Sequence, residues 1–352
     1  MNEPFYIEVG SQQKNHGGER ICGDVFLSQK VKEEGRTVLV LSDGMGHGVK
    51  ASLLATLTAT MAMNFTKEHK DALKIAEIIM KTLPVCAERK ISYATFSIVD
   101  IDASGQTTIL NYDNPDPVIV RDKSGYNPGW EILEIESGSN KGKELKVCSF
   151  KAVKEDRIVL LSDGITQSGL GMGKYLLGWG YERLQQMLTD TIRDHPDMPA
   201  NRLAAAIVSK AHTNDGYQAK DDMSAAVVYF REPRELLLCT GPPFDREKDK
   251  ELAERFGDFR GSRIICGGTT ADIIGKLLNI GIEDTLEFDD PDLPPISYLE
   301  HVDLVTEGIL TLSKVSEILD NYSPRTALGK GPADRIIRLF VDSDKINLLV
   351  GT

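Results

Sequence analysis

The 352-residue chain is poor in cysteine, and its cysteines form no pattern. Cys22, Cys86, Cys148, Cys239 and Cys266 are odd in number, widely scattered and without a CxxC pair, which argues against a zinc site or a disulfide framework. No apolar run approaches the length of a bilayer span, and Met1-Asn2-Glu3-Pro4 lacks the basic start and apolar core of a secretory leader. A cytoplasmic protein without a membrane partner is therefore expected. Basic surplus is missing too: 41 Lys and Arg stand against 53 Asp and Glu, a formal net charge of -12. Nonspecific nucleic-acid binding needs cationic patches to displace counterions, so no nucleic-acid partner is expected, whereas a divalent cation suits this balance. What is present, 41% hydrophobic and 27% charged residues, describes an ordinary soluble globular chain long enough for two domains.

The stretch that organises the rest is Thr37 to Phe65, TVLVLSDGMGHGVKASLLATLTATMAMNF. Val38 to Leu41 reads as a buried strand ending at Ser42-Asp43. Gly44, Gly46 and Gly48 then allow a sharp turn and a close backbone approach. A helix follows, and Val49, Leu53, Leu57, Met61 and Phe65 recur every fourth residue as its expected inner face. Asp43 thus sits at a strand end beside a helix N-terminus, a place for a metal or a phosphate.

The pattern recurs. Ile158 to Leu161 is a second apolar run ending in the same Leu-Ser-Asp-Gly, at Asp163-Gly164; Asp221-Asp222 opens the strand from Met223, and Gly23-Asp24 opens the strand Val25-Phe26-Leu27. Four carboxylates at strand ends or starts, with little histidine or cysteine nearby, form an oxygen-only set of the kind Mg²⁺ or Mn²⁺ prefers over zinc. Cys22 is read as a small buried apolar residue in preference to a ligand.

In order along the chain, Gly23-Asp24, Asp43-Gly44-Met45-Gly46-His47-Gly48, Asn111 to Pro117, Asp163-Gly164-Ile165 and Asp221-Asp222-Met223-Ser224 resemble the motifs of the metal-dependent protein serine/threonine phosphatases (type 2C, or PPM). The bacterial branch that includes stage II sporulation protein E is the most similar. The resemblance covers about residues 5 to 231. It implies an α-β-β-α sandwich of two antiparallel sheets and two Mn²⁺ or Mg²⁺ ions, with no organic cofactor. It further implies that Asp43 bridges the metals, that the Gly44 carbonyl joins one of them, that Asp163 and Asp221 hold the other, and that Asp24 binds directly or through water. A metal-activated water would attack phosphorus in line, and the substrate would be a phosphorylated regulatory protein. Arg20 is placed like the phosphate-binding arginine of the wider family, which this branch often lacks; a solvated arginine is the other reading. Asp113 and Asn114 stand where the branch usually has Gly and His; they are read as turn formers in preference to ligands of a third metal. Histidine is usual directly after the Asp-Gly pair, but here that position is Met45, and His47 is assigned packing or support in preference to proton donation. Thr166 to Gly180, rich in glycine, falls where the family often carries a flap; a plain surface loop is the alternative.

Helical spacing over Lys70 to Lys90, with Pro84 as a stop or kink, precedes strand-like runs at Tyr93 to Ile101, Gln106 to Tyr112, Pro117 to Arg121, Trp130 to Ile135 and Lys146 to Phe150. Tyr181 to Arg193 and Pro199 to His212 are helical again. Helices early, strands in the middle and helices late suit two packed sheets with helices on both outer faces.

Pro233 follows a completed strand and marks a boundary, giving a phosphatase domain over 1–232 and a small α/β domain over 233–352. The second has expected strands at Leu236 to Cys239, Ser262 to Cys266, Val302 to Val305 and Ile346 to Val350, alternating with helices at Arg246 to Phe256, Thr270 to Leu278, Leu312 to Asp320 and Pro332 to Val341. A largely parallel sheet follows. Cys266-Gly267-Gly268-Thr269-Thr270 joins a strand to a helix and is read as a tight turn with a threonine cap in preference to an anion site. The acidic run Glu283 to Asp292 is read as a solvated loop. Regulation, targeting or a homodimer are the uses expected of this domain. An inactive metal-binding signalling module and a small-molecule phosphatase are the alternatives to a protein phosphatase.

Overall fold

The computed structural model describes residues 5–70, 72–82, 94–135, 141–172, 175–285, 289–323 and 326–351. The expected helix over 70–90 is described only to Thr82, so Leu83, Pro84 and Cys86 lie outside the described residues, as do Tyr93, Gly173 and 286–288. The chain divides into two compact units, Met1–Glu232 and Pro233–Thr352.

In chain order the first unit contains β1 (Tyr6–Lys14), β2 (Val25–Val31), β3 (Arg36–Gly44), α1 (Gly48–Lys67), α2 (Ala72–Thr82), β4 (Ala94–Ile101), β5 (Gln106–Tyr112), β6 (Val118–Arg121), β7 (Ser124–Gly125), β8 (Glu131–Glu134), β9 (Glu144–Lys151), β10 (Arg157–Leu161), α3 (Asp163–Thr166), α4 (Tyr181–Asp194), α5 (Ala200–Asn214) and β11 (Met223–Arg231). They form two antiparallel sheets, β1-β11-β10-β6-β7 and β2-β3-β4-β5-β9-β8. Alternation along the strands builds three apolar layers. Leu39 and Leu41 of β3 meet Ile158 and Leu160 of β10 between the sheets. Val38 and Val40 face α1 and α2, and Val159 and Leu161 face α4 and α5. Strands buried on both faces must be continuously apolar, which is why β3 and β10 stand out in the sequence. The result is the α-β-β-α sandwich.

The expected inner face of α1 holds only at its C-terminal end: Met61 and Phe65 pack against the core, but Val49, Leu53 and Leu57 point away from the sheet, at 69%, 60% and 49% exposure. Buried instead are Ala51, Leu54, Ala55, Thr58, Ala59, Ala62 and Met63. The reason is distance at the start of the helix: a Cβ on Gly44 would lie 2.2 Å from the Ala51 carbonyl oxygen, so around Ala51 the first turns approach β3 too closely for a large side chain.

The second unit runs β12 (Glu235–Thr240), α6 (Asp249–Gly257), β13 (Ser262–Cys266), α7 (Gly268–Leu278), β14 (Ile282–Asp284), β15 (Ser297–Leu299), β16 (Leu304–Thr306), α8 (Ile309–Asp320), α9 (Pro332–Val341) and β17 (Lys345–Val350). Its sheet order is β14-β15-β16-β13-β12-β17, parallel from β16 to β17. Helices α6 and α7 cover one face, α8 and α9 the other. The acidic run is not simply a solvated loop. Ile282–Asp284 pairs with Ser297–Leu299, and Asp290 is buried with Lys314 Nζ 3.2 Å from its Oδ1. Among the described residues no helix is long and apolar enough to cross a membrane.

Candidate active site

Asp43 is the penultimate residue of β3, paired in register with Thr95, and Gly44 ends the strand against α1. Gly46 and Gly48 have φ of 92° and 74°, left-handed values that glycine adopts at little cost. Asp163 begins α3 directly after β10, and a Cβ on Gly164 would lie 2.2 Å from the Asp222 carbonyl oxygen. Both Asp-Gly pairs therefore use glycine for the same reason: another backbone passes where a side chain would stand.

Asp24, before β2, is 3% exposed. Ser162 and Ser224, the serines preceding Gly164 and following Asp222, hydrogen-bond its carboxyl. Gln13 donates to the Asp24 carbonyl at 3.1 Å and to Ser224 Oγ at 2.9 Å, linking β1 to the site. Asp163 Oδ2 accepts from Gln167 Nε2 at 2.9 Å. Asp221 Oδ1 accepts from the Asp222 N–H at 2.8 Å, and Asp222 Oδ1 from the His16 N–H at 2.9 Å. Two buried carboxylate oxygens, Asp24 Oδ2 and Asp222 Oδ2, have no partner.

The four predicted carboxylates are brought together, and their electrostatics record it. Burial first, then the charges of Asp24, Asp163 and Asp221, hold the Asp43 carboxyl well above the usual carboxylate range. Burial lifts Asp24 to about 7, opposed by the serine hydrogen bonds and reinforced by Asp222 and Asp163. Asp221 is lifted to about 6 by burial and then by Asp163. Asp163 is raised by burial, with hydrogen bonds from Asp43, the Gly164 N–H and Gln167 opposing. The charges that act most strongly on these groups are other carboxylates, His16 excepted. Among the described residues no three His, Cys, Asp or Glu side chains stand close enough to enclose an ion as placed. The donor chemistry nevertheless fits a hard divalent cation: the ligands are oxygen only, mutually repelling and partly unpaired.

The remaining sequence candidates separate clearly. His47 is exposed, its Nδ1 lies 2.7 Å from Glu19 Oε1, and its ring stacks on His16 at 4.5 Å. Arg20 is exposed. Burial, then Asp24, pushes the half-buried Cys22 thiol up to about 12, so it is a neutral thiol. Asn114 is buried and donates to Leu41 O at 3.3 Å and Ser97 Oγ at 3.0 Å, fastening its loop to the sheet. Asp113 has the left-handed φ of a turn former, 57°, and its charge adds to the raised carboxyl of Asp163. The glycine-rich segment after α3 is anchored: the Gly169 backbone N–H donates to Asp215 Oδ1 at 2.6 Å, and the backbone N–H of Trp179, a residue 2% exposed, donates to Ser168 O at 2.9 Å. His16, Gln13 and Gln167 went unnoticed in the sequence. Beside them opens a cleft of about 930 Å³ lined by His16, Glu19, Met172, Tyr217 and Lys220.

Two solved structures share this fold. The phosphatase domain of the cell fate determinant SpoIIE from Bacillus subtilis, in a crystal form without domain swapping, aligns over 66% of this chain and 95% of its own at 16% identity, with a TM-score of 0.50. The PP2C phosphatase domain of SpoIIE with a fragment of its regulatory domain, also from Bacillus subtilis, aligns over 65% of each chain at 16% identity, with a TM-score of 0.51. The first unit thus has the PP2C-type phosphatase fold. The family model described as stage II sporulation protein E (SpoIIE) matches residues 33–231. The chain belongs to the SpoIIE family, and no curated protein matches it significantly.

Proposed function

We propose that this protein is a metal-dependent serine/threonine phosphatase that hydrolyses a phosphomonoester on a regulatory protein. The observation that carries this reading is the convergence of Asp24, Asp43, Asp163 and Asp221, all raised by burial, with the charge of neighbours in the set adding at Asp24, Asp43 and Asp221 and a hydrogen bond joining Asp43 to Asp163. In this reading Asp43, the Gly44 carbonyl, Asp163 and Asp221 would hold Mn²⁺ or Mg²⁺, with Asp24 contributing directly or through water. When bound, such ions acidify a water and neutralise charge on the phosphate. The chain's own groups do the rest: Gln167 orients Asp163, the His16 N–H holds Asp222, and the Ser162 and Ser224 hydroxyls orient Asp24. The test is release of phosphate from a phosphoserine peptide. Activity is expected with added Mn²⁺ and is expected to vanish in chelator; equal rates in both would sink the metal assignment. Faster turnover of small phosphate esters than of any phosphopeptide would favour the small-molecule alternative.

For protonation of the leaving serine oxygen we assign His16 in place of His47. Its Nδ1 is buried without a partner and its imidazole is electrostatically coupled to Asp221, whereas His47 is exposed and paired with Glu19. His16→Ala is expected to lower kcat about 10²-fold on a phosphoserine peptide, whose alkoxide must be protonated, and far less on p-nitrophenyl phosphate, whose leaving group needs no proton. His47→Ala should leave both rates within about threefold, a packing-level effect. Equal losses on the two substrates in His16→Ala would reduce His16 to a structural role.

A further inference from the structure

The second unit holds a group of polar atoms that phosphate hydrolysis does not use. β13 and β16 are neighbouring parallel strands, in register from Ile264↔Leu304 to Cys266↔Thr306, and each leads from its carboxyl end into a helix, α7 or α8. Both helices start on a glycine, Gly267 and Gly308, with no side-chain cap. The two glycines adjoin: a Cβ on Gly308 would lie 3.4 Å from the Gly267 Cα. Three residues after each glycine stands a threonine, Thr270 and Thr311, at 1% and 0% exposure, and neither hydroxyl has a hydrogen-bond partner. Thr270 Oγ1 faces the loop, 3.4 Å from where a Cβ on Gly267 would be. Directly after β16, Glu307 Oε2 is also buried and unpaired. The threonine-cap reading of this turn fails, because the Thr270 hydroxyl caps nothing.

Three unpaired buried polar groups at the open ends of two helices are unfavourable unless something completes them. Helix N-termini attract anions, and a glycine start lets the anion come close to the backbone. Open parallel sheets bind ligands outside the carboxyl ends of their strands. Segments 266–270 and 306–311 contain no Lys or Arg, so amides and hydroxyls must do the binding. The Glu307 carboxylate would repel a bare phosphate dianion, and its free oxygen calls for a donor on the ligand. We propose that the carboxyl ends of β13 and β16 bind a small phosphorylated sugar, its phosphate received by the first-turn N–H groups of α7 and α8 with the Thr270 and Thr311 hydroxyls, and a sugar hydroxyl donating to Glu307. A nucleotide and a simple sugar phosphate share this chemistry. The site is independent of the phosphatase reading and gives the second unit a ligand of its own.

The test is calorimetric titration of the full-length chain in EDTA with ribose 5-phosphate, AMP and inorganic phosphate. At least one sugar phosphate is expected to bind with Kd below about 1 mM, with inorganic phosphate about tenfold weaker. Tighter AMP assigns the site to nucleotides, and tighter ribose 5-phosphate to sugar phosphates. Thr270→Val with Thr311→Val should weaken binding at least about tenfold without lowering Tm, since isosteric replacement of an unpaired hydroxyl is neutral or stabilising. Glu307→Gln should weaken the sugar phosphates and spare inorganic phosphate. Should the double variant misfold, Gly268→Asp serves: a Cβ there meets nothing within 4 Å, and a carboxylate at the start of α7 supports the helix while occupying the anion's place. It is expected to raise Tm and abolish binding. If no probe saturates by about 10 mM, or if binding survives both the valine and aspartate variants, the unpaired groups are met by water alone and the proposal fails.

Discussion

Asp43→Asn and Asp163→Asn are each expected to reduce turnover of a phosphoserine peptide by on the order of 10³-fold or more, because a neutral amide holds Mg²⁺ or Mn²⁺ poorly and several kcal/mol of charge stabilisation depend on the ion. The fold should persist. In the metal-free protein each substitution removes one of several mutually repelling buried carboxylates, so the chelated variants should melt no lower than the chelated parent. This pairing of outcomes separates a ligand from a structural aspartate, whose loss would lower both rate and Tm. A variant that keeps near-native turnover would remove that residue from the site. A variant that loses turnover only by unfolding would leave its role unassigned to chemistry.

Metal should also stabilise the protein, and more so as pH rises. Asp24 is raised from 3.8 to about 7 and Asp221 from 3.8 to about 6 in the folded chain. Between about pH 4 and 7 the metal-free folded state therefore binds more protons than the unfolded state, and its stability falls as pH rises through that window. Divalent ions compete with those protons and offset the repulsion that replaces them. Melting in chelator is expected to show a decline from pH 5 to 7.5 that Asp24→Asn shallows, and the Tm gain from added Mn²⁺ should be larger at pH 7.5 than at pH 5.5. A gain that is constant or larger at the lower pH would separate the carboxylates from metal binding.

Some of this was legible because its cause is local. β3 and β10 are buried on both faces, so they must be apolar without interruption, and each must end where an Asp-Gly pair turns the chain. Those constraints act within a few residues and leave a pattern that repeats at Leu41 and Leu161. The face of α1 was not legible, since the helix is apolar around much of its circumference and periodicity cannot choose between a stripe of large residues and one of small ones. The choice fell to Gly44, whose missing side chain admits Ala51. The strand at Ile282–Asp284 was hidden because its residues read as acidic loop until a partner, Ser297–Leu299, satisfies them.

By itself the sequence determined the sandwich class and the presence of four acidic positions at strand ends, because strand burial and turn geometry are short-range requirements written in neighbouring residues. Only the tertiary structure decided what surrounds those acids. His16 reaches Asp222 across 206 positions and Gln13 reaches Ser224 across 211. A contact of that separation is made by the pairing of β1 with β11, and it leaves no mark on the composition or spacing of either segment.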